Sequence, residues 1–454
     1  MLQAYEFEKE LGIEFFASHS YPLLGVIKQS AEDFIVEEIL RDGTILDVNG
    51  NFKFRLPNKG KYLYVAIKKR NITTSDVMIA LMQKFKLKFS DIGVYGIKDR
   101  RAIAVQCFTL KNVVEKDVKD LKLRKVKPLA CSLGYGPARL GQHLGNNFKV
   151  VIRNVPLQKD KVVEVLEEFK KVSFIPNYFG YQRFGMPRPV THKIGESIIK
   201  GDYEKAINYL VGFIDPLEPE DHIFARKIFM DTNDPAETLK YLPESLLYER
   251  MVLEYLLHHP KDYSGAISKL PAGALRLFIE AYSSYLFNRF LSSRLRAKLL
   301  SLEEGDLVSP LDYGLPVFYA FRVGTDIDKQ RARELVEKNK LALVLPVMGY
   351  RAKLSGGVMG DMEREELVKD GIRPSDFKLW LGDKFVGLKG SYRRLDLKLL
   401  DELKYDLLED QITGSYILSV KFALYRGSYA TTYLREIMKQ PFAGSYFGKS
   451  FRGS

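Results

Sequence analysis

Apolar and polar positions divide the chain into two textures. Up to about residue 155 the apolar positions come in short runs that favour strands. Phe34-Ile35-Val36-Glu37-Glu38-Ile39 alternates in part, and Gln29-Ser30-Ala31-Glu32-Asp33 ahead of it reads as a turn, so positions 24–40 predict two strands. Tyr62-Leu63-Tyr64-Val65-Ala66-Ile67 predicts another, running directly into Lys68-Lys69-Arg70. Ser75-Asp76 reads as the N-cap of a helix that extends to about Lys88. Positions 104–110 and 148–153 predict further strands. Positions 161–171 place Val162, Val165, Leu166 and Phe169 on one stripe, the spacing of a helix packed on a core.

Between about 190 and 390 the pattern turns mostly helical, clearest at 203–211, 244–258 and 272–300. Strand-like alternation returns after Tyr392, as at 416–424, and Gly427-Ser428 turns the chain into a final helix. Strand character at both ends with a helical middle predicts a discontinuous domain, residues 1–189 and 391–454, carrying an insertion at 190–390. No internal repeat or low-complexity tract interrupts this pattern.

Composition narrows the partner more than the fold. The chain has 454 residues, 46% hydrophobic and 28% charged, which suits two or three globular domains with sizeable cores. Its formal charge of +13 favours a polyanion as partner. The 26 Tyr and 28 Phe suit base stacking, although most must simply be core. Two cysteines, Cys107 and Cys131, build no disulfide framework, which fits a reducing cytoplasm. The first residues lack the basic-then-apolar pattern of a leader, and no apolar run reaches membrane-spanning length.

Familiar cofactor motifs are missing: no phosphate loop, no dinucleotide-binding glycine turn and no nucleophile elbow. The six histidines show no metal-ligand spacing with Cys or Glu, and adjacent His258 and His259 point in different directions on a helix. Chemistry without cofactor or metal then rests on carboxylates, amides, bases and aromatics.

Two stretches offer such groups. In Gly96-Ile97-Lys98-Asp99-Arg100-Arg101 a carboxylate stands among three cations, in a glycine-led loop between a helix and a strand. The cations favour an ionised Asp99, able to act as nucleophile or base beside groups that hold phosphate. The same pattern also describes a solvated loop with surface ion pairs. Pro176-Asn177-Tyr178-Phe179-Gly180-Tyr181-Gln182-Arg183-Phe184-Gly185 packs four aromatics, two glycines, two amides and an arginine into ten residues. It reads as a shaped loop, either functional or simply packed by its own rings. The run 121–127, with Lys122, Arg124, Lys125 and Lys127, is a phosphate-facing edge or a solvated face, and Lys68-Lys69-Arg70 is a further candidate for phosphate contact.

These stretches resemble the TruD family of tRNA pseudouridine synthases in its archaeal form. The likeness runs through Lys28 with Glu32-Asp33-Phe34-Ile35-Val36-Glu37-Glu38-Ile39, then Gly96 to Ala102 with Gln106, then Leu144-Gly145-Asn146. It continues through the loop 176–185, Ala281-Tyr282-Ser283-Ser284-Tyr285-Leu286-Phe287-Asn288 and Gly427-Ser428-Tyr429-Ala430-Thr431. Ala31, Ala104 and Asn147 depart from the family's usual Pro, Thr and Arg at turn and support positions.

The resemblance implies an α+β chain of the pseudouridine synthase fold, a mixed and largely antiparallel sheet with flanking helices, and makes 190–390 the family's inserted TRUD domain. It implies isomerisation of uridine to pseudouridine in tRNA, typically at position 13, with no cofactor and no metal. It implies Asp99 as the catalytic aspartate, Phe34, Asn177 and Tyr429 as contacts to the target nucleotide, and Phe179 and Lys28 as completing the pocket. The uracil must leave the ribose, turn and rejoin through C5, so the nucleotide is expected to be flipped out of its helix. The rival classes are a non-catalytic RNA-binding protein, which leaves Asp99 without a purpose, and a methyltransferase, which needs a glycine-rich cofactor loop absent here.

Overall fold

The structure, a computed structural model, describes residues 1–119, 121, 123–410 and 414–449. Two compact units emerge. One joins Met1–His19 to Pro176–Asp396, and the other joins Ser20–Ile175 to the chain from Leu397 on. The expected junctions at 189/190 and 390/391 thus compare with observed ones at 175/176 and 396/397, and the first nineteen residues belong with the middle of the chain.

The unit of Ser20–Ile175 is an eight-stranded sheet with helices. Its strands are β1 (Phe34–Ile39), β2 (Tyr62–Arg70), β3 (Ile92–Val94), β4 (Ile103–Lys111), β5 (Val126–Gly134), β6 (Gly145–Val155), β7 (Leu399–Glu409) and β8 (Tyr416–Tyr425). They lie in the order β7-β8-β6-β1-β4-β2-β5, with β3 on β4. Only β1 and β4 run parallel, and the remaining pairs are antiparallel, so the sheet is mixed and largely antiparallel as expected.

Both faces of this sheet are covered, which follows from the two-residue period of a strand. On β2, Leu63, Val65 and Ile67 face a cluster with Val77, Met78 and Leu81 of helix α1 (Thr74–Phe85). Tyr64 and Ala66 face the opposite cluster with Ile103, Val105 and Cys107 of β4. The N-cap of α1 is Thr73, not Ser75: its Oγ1 accepts from the Asp76 N–H, and Asp76 reaches back to the Thr73 N–H. Helix α2 (Lys159–Lys170) buries Val162, Val165, Leu166 and Phe169, the stripe read from the sequence. Helix α3 (Ala430–Met438) is buried along its whole length.

Of the two strands expected over 24–40, only β1 forms. Leu24, Gly25 and Lys28 take left-handed backbone angles that a strand cannot contain, leaving a single bridge from Val26 to Arg153.

The unit of Pro176–Asp396 is helical around the 25-residue helix Ala272–Arg296, but it also holds a five-stranded sheet built on Leu307–Asp312, Leu341–Val347 and Ser391–Arg394. The mostly helical middle expected from the sequence missed these strands, since Leu341 to Val347 is a continuous apolar run that periodicity alone does not assign. Among the described residues no helix is long and apolar enough to cross a membrane.

Candidate active site

Asp99 stands in a loop between β3 and β4, four residues before the first residue of β4. A chain of hydrogen bonds from buried side chains shapes this loop. The Lys98 N–H donates to Thr74 Oγ1 (3.0 Å), the Thr74 hydroxyl donates to Gln106 Oε1 (2.8 Å), and Gln106 Nε2 donates to the Gly96 carbonyl (2.9 Å). Gly96 packs closely here: a Cβ would lie 2.8 Å from Lys98 Nζ and 3.1 Å from the His143 ring, so a larger residue would have to displace these side chains.

The Asp99 carboxylate is 42% exposed and pairs with Lys28, whose Nζ lies 2.5 Å from Oδ2. Lys28 is buried, holds a left-handed φ of 59°, and sets its ammonium 4.1 Å from the centroid of the Phe34 ring. Such backbone conformations in a non-glycine residue cluster at functional positions. Phe34, at the start of β1, packs edge-on against Phe148 at 6.0 Å. Carboxylate, ammonium and aromatic ring therefore form one contiguous group.

Burial pushes the Asp99 carboxyl up, but the charges of Lys28, Lys69 and Lys98 and the hydrogen bond from Lys28 outweigh it, and its pKa falls below the ordinary carboxylate value. The carboxylate is thus ionised throughout the neutral range.

The neighbouring cations do other work than the sequence suggested. Lys98 turns inward to Glu38 at 2.7 Å, both groups buried. Arg101 donates to the carbonyls of Phe447 and Gln29. Lys69 corrects the phosphate-contact expectation outright: it is fully buried, and its Nζ donates to the carbonyls of Asp99 (2.6 Å) and Ile72 (2.8 Å). Burial pushes its pKa down to about 8, against the raising effect of Asp99. Arg70 is exposed and pairs with Glu32 at 2.7 Å. Lys122 of the basic run lies outside the described residues.

The acidic residues around Phe34 are supports. Asp33 accepts from Arg153 and from the Ser30 N–H, and Glu37 accepts from Lys149, Asn147 and the Val48 N–H. Asn147, one of the departures from the family pattern, is buried and gives Glu37 a 2.6 Å hydrogen bond. Also absent from the expected site is His143, buried against Gly96 and pushed down to about 4 by burial and by Lys98, hence neutral at pH 7. Tyr429 belongs to the same unit as Asp99 and stands at the N-cap position of α3 without a capping hydrogen bond from its side chain, half-buried after the left-handed Gly427.

Asn177 and Phe179 belong to the other unit. Asn177 is buried. Its Oδ1 accepts from Arg393 Nη2 at 2.7 Å, its Nδ2 donates to the Arg394 carbonyl at 3.1 Å, and its own carbonyl accepts from Arg393 Nε. Phe179 packs beneath the Arg393 guanidinium, 4.2 Å from its ring centroid, and edge-on to Phe287 at 5.4 Å. Asn288 fixes its backbone, accepting from the Phe179 N–H (2.8 Å) and donating to its carbonyl (3.1 Å). The motif 281–288 thus serves the loop 176–185. Among the described residues no cluster of His, Cys, Asp and Glu could hold a metal ion.

The family model for tRNA pseudouridine synthase D (TruD) matches residues 10–437. A protein of Methanococcoides burtonii described as "Probable tRNA pseudouridine synthase D" is 32% identical, the match covering 95% of this chain and 97% of that one. One of Pyrobaculum islandicum with the same description is 34% identical over 97% and 98%. A crystal structure from Methanosarcina mazei described as that of the "Putative tRNA pseudouridine synthase D (TruD)" superposes with a TM-score of 0.78 at 30% identity, covering 97% of this chain and 99% of that one. The chain belongs to the TruD family of tRNA pseudouridine synthases.

Proposed function

We propose that this protein isomerises uridine to pseudouridine at position 13 of tRNA, with the Asp99 carboxylate acting on a nucleotide flipped out of its helix. The observation that carries this is the Lys28–Asp99–Phe34 group. It holds an ionised carboxylate that is still 42% exposed, paired to a lysine whose ammonium also lies on the buried Phe34 ring. Asp99 acts as nucleophile on the nucleotide or as base on the ribose, and both routes need the charged form.

Lys28 holds the carboxylate in place and keeps it charged, while Phe34 and Tyr429 contact the target nucleotide. Asn177 and Phe179 also contact it. Their motif match supports that assignment, and Arg393 fixes both residues. After its bonds to Arg393 and the Arg394 carbonyl, the Asn177 amide retains a second proton and a second lone pair, suited to a uracil edge. No cofactor or metal takes part, and tRNA is the macromolecular partner, met in the cytoplasm.

Incubation of the protein with a tRNA transcript and no cofactor, followed by mapping of pseudouridine, tests this. Pseudouridine at position 13, and its loss when U13 is replaced by C, is the expected result. A tRNA that is bound and left unmodified would overturn the enzymatic assignment, and modification elsewhere would overturn the position.

A further inference from the structure

The helix Tyr203–Ile207 does not continue as an α-helix. Residues Asn208–Gly212 form one turn of π-helix, a local geometry that concentrates at functional positions. Two arginines hold its carbonyls. Arg188 Nη1 donates to Tyr209 (3.1 Å) and Leu210 (3.0 Å), and Arg226 Nη1 donates to Leu210 (3.0 Å) and Val211 (2.9 Å). Glu218 and Glu249 pair with them, and Arg226 is 1% exposed. Buried ion clusters recover their desolvation cost only when their hydrogen bonds are well satisfied. This one meets that condition largely on the carbonyls of a single turn.

The turn and the helix Glu220–Thr232 wall an open cavity of about 600 Å³, within the size range of small-molecule pockets. Tyr209 and Phe213 supply half-buried rings on its wall. Gly212 lets the backbone approach closely, since a Cβ there would lie 3.2 Å from both Met230 Cγ and Phe229 Cδ1. Lys193 Nζ lies 5.3 Å from the Phe213 ring centroid and Lys205 Nζ 6.0 Å from that of Tyr209. Lys205, Asn208 and Asn233 add an ammonium and two exposed amides to the lining.

We propose that this cavity binds one unpaired nucleoside of the tRNA, distinct from the uridine being isomerised, with its base against Tyr209 and Phe213 and its phosphate at Lys205. Aromatic faces stack on any base, and a side-chain amide offers the donor and acceptor that a base edge needs. A duplex does not expose a base in this way, so the nucleotide comes from a loop or a bulge. A purely apolar occupant would bury the amides without partners. The inference rests on the chain acting on tRNA, and is independent of the chemistry assigned to Asp99. A free nucleotide shares the chemistry, so the test must separate the two sources.

Full-length Asp99→Asn protein, crosslinked by light to tRNA carrying 4-thiouridine, should yield adducts within residues 205–213 or 229–233. Tyr209→Ala should weaken tRNA binding about tenfold. Lys205→Ala, at an exposed position that leaves folding untouched, should lower the log–log salt slope by about one. Adenosine and uridine monophosphates at concentrations comparable to the tRNA should not displace it. The proposal is overturned if adducts form only elsewhere, if the correctly folded variants bind tRNA with wild-type affinity and slope, or if a free monophosphate binds the cavity tightly while tRNA binding ignores both substitutions. Pseudouridine formation by the wild-type protein, measured alongside, reports on the proposed reaction separately.

Discussion

Lys28 and Asp99, 71 positions apart in sequence, meet through a 2.5 Å contact between the lysine Nζ and the aspartate Oδ2. The lysine is buried and the aspartate, although partly desolvated, keeps 42% of its side chain exposed, so the pair has one fixed member and one member that a substrate can reach. The fixed member holds the carboxylate and keeps it ionised.

Replacing Lys28 by Met should therefore raise the Asp99 pKa, because the first lowering influence on it disappears. A group whose folded pKa is depressed loses its charge, and the stability that charge supplies, as pH falls through that value. The wild-type single-turnover rate should hold level down to the ordinary carboxylate range. The variant should show its acid limb at higher pH and a lower plateau, with tRNA affinity little changed. An acid limb that stays in place would separate Lys28 from Asp99.

Lys69 grips the main chain of the same loop. Lys69→Met removes two hydrogen bonds from a charged donor, each worth on the order of 1.5–3 kcal/mol. Lost positioning should appear as a fall in kcat of tenfold or more with KM for tRNA unchanged. The salt slope of RNA binding should not respond, because a fully buried amine meets no phosphate. A flattened slope with normal kcat would restore Lys69 to the phosphate-binding surface.

Much of the fold was legible. The runs that became β1, β2, β4, β6 and β8 were read from local alternation or short apolar runs and the stripe on α2 from its period, and the site motifs were found through the family pattern. Lys69 was misread although the signal was present. It shares the parity of Leu63, Val65 and Ile67 on β2, so its side chain starts toward the same buried face. Three adjacent basic residues look like one patch only if a strand is treated as having one face. The resemblance already placed Lys28 in the same pocket as Asp99, where it could pair with the carboxylate or hold a phosphate; the structure shows the pairing, which spans 71 residues and uses a left-handed turn at Lys28 that no local pattern announces. The cation triplet around Asp99 suggested three phosphate ligands, but burial sends Lys98 to Glu38 instead.

Asn177→Ala would keep the fold intact if the amide met only substrate. The structure gives it Arg393 and the Arg394 carbonyl as partners, so the substitution should also destabilise by about 1–3 kcal/mol. A lowered melting temperature together with a loss of turnover per folded molecule is expected. A lowered melting temperature with normal turnover per folded molecule would make Asn177 a support for Arg393 alone.

Glu363 gives a pH signature outside the site. It is fully buried, accepts from the Ser355 N–H and hydroxyl, and burial pushes its pKa up to about 7. A raised folded-state pKa means the stabilising proton is present below the unfolded value and is lost as pH rises through about 7. Thermal stability should fall between pH 5 and pH 8 by an amount on the order of 2–3 kcal/mol from this residue. Glu363→Gln should flatten that fall, and an unchanged profile would contradict the assignment.

The central claim is that the Asp99 carboxylate performs the chemistry. Asp99→Asn keeps the size of the side chain and removes its charge, and an amide serves neither as nucleophile nor as base. The decisive measurement is pseudouridine formation in tRNA by purified Asp99→Asn protein with wild-type melting temperature and retained tRNA affinity. No pseudouridine from a variant that still binds tRNA is the predicted result, and substantial pseudouridine from such a preparation would contradict it.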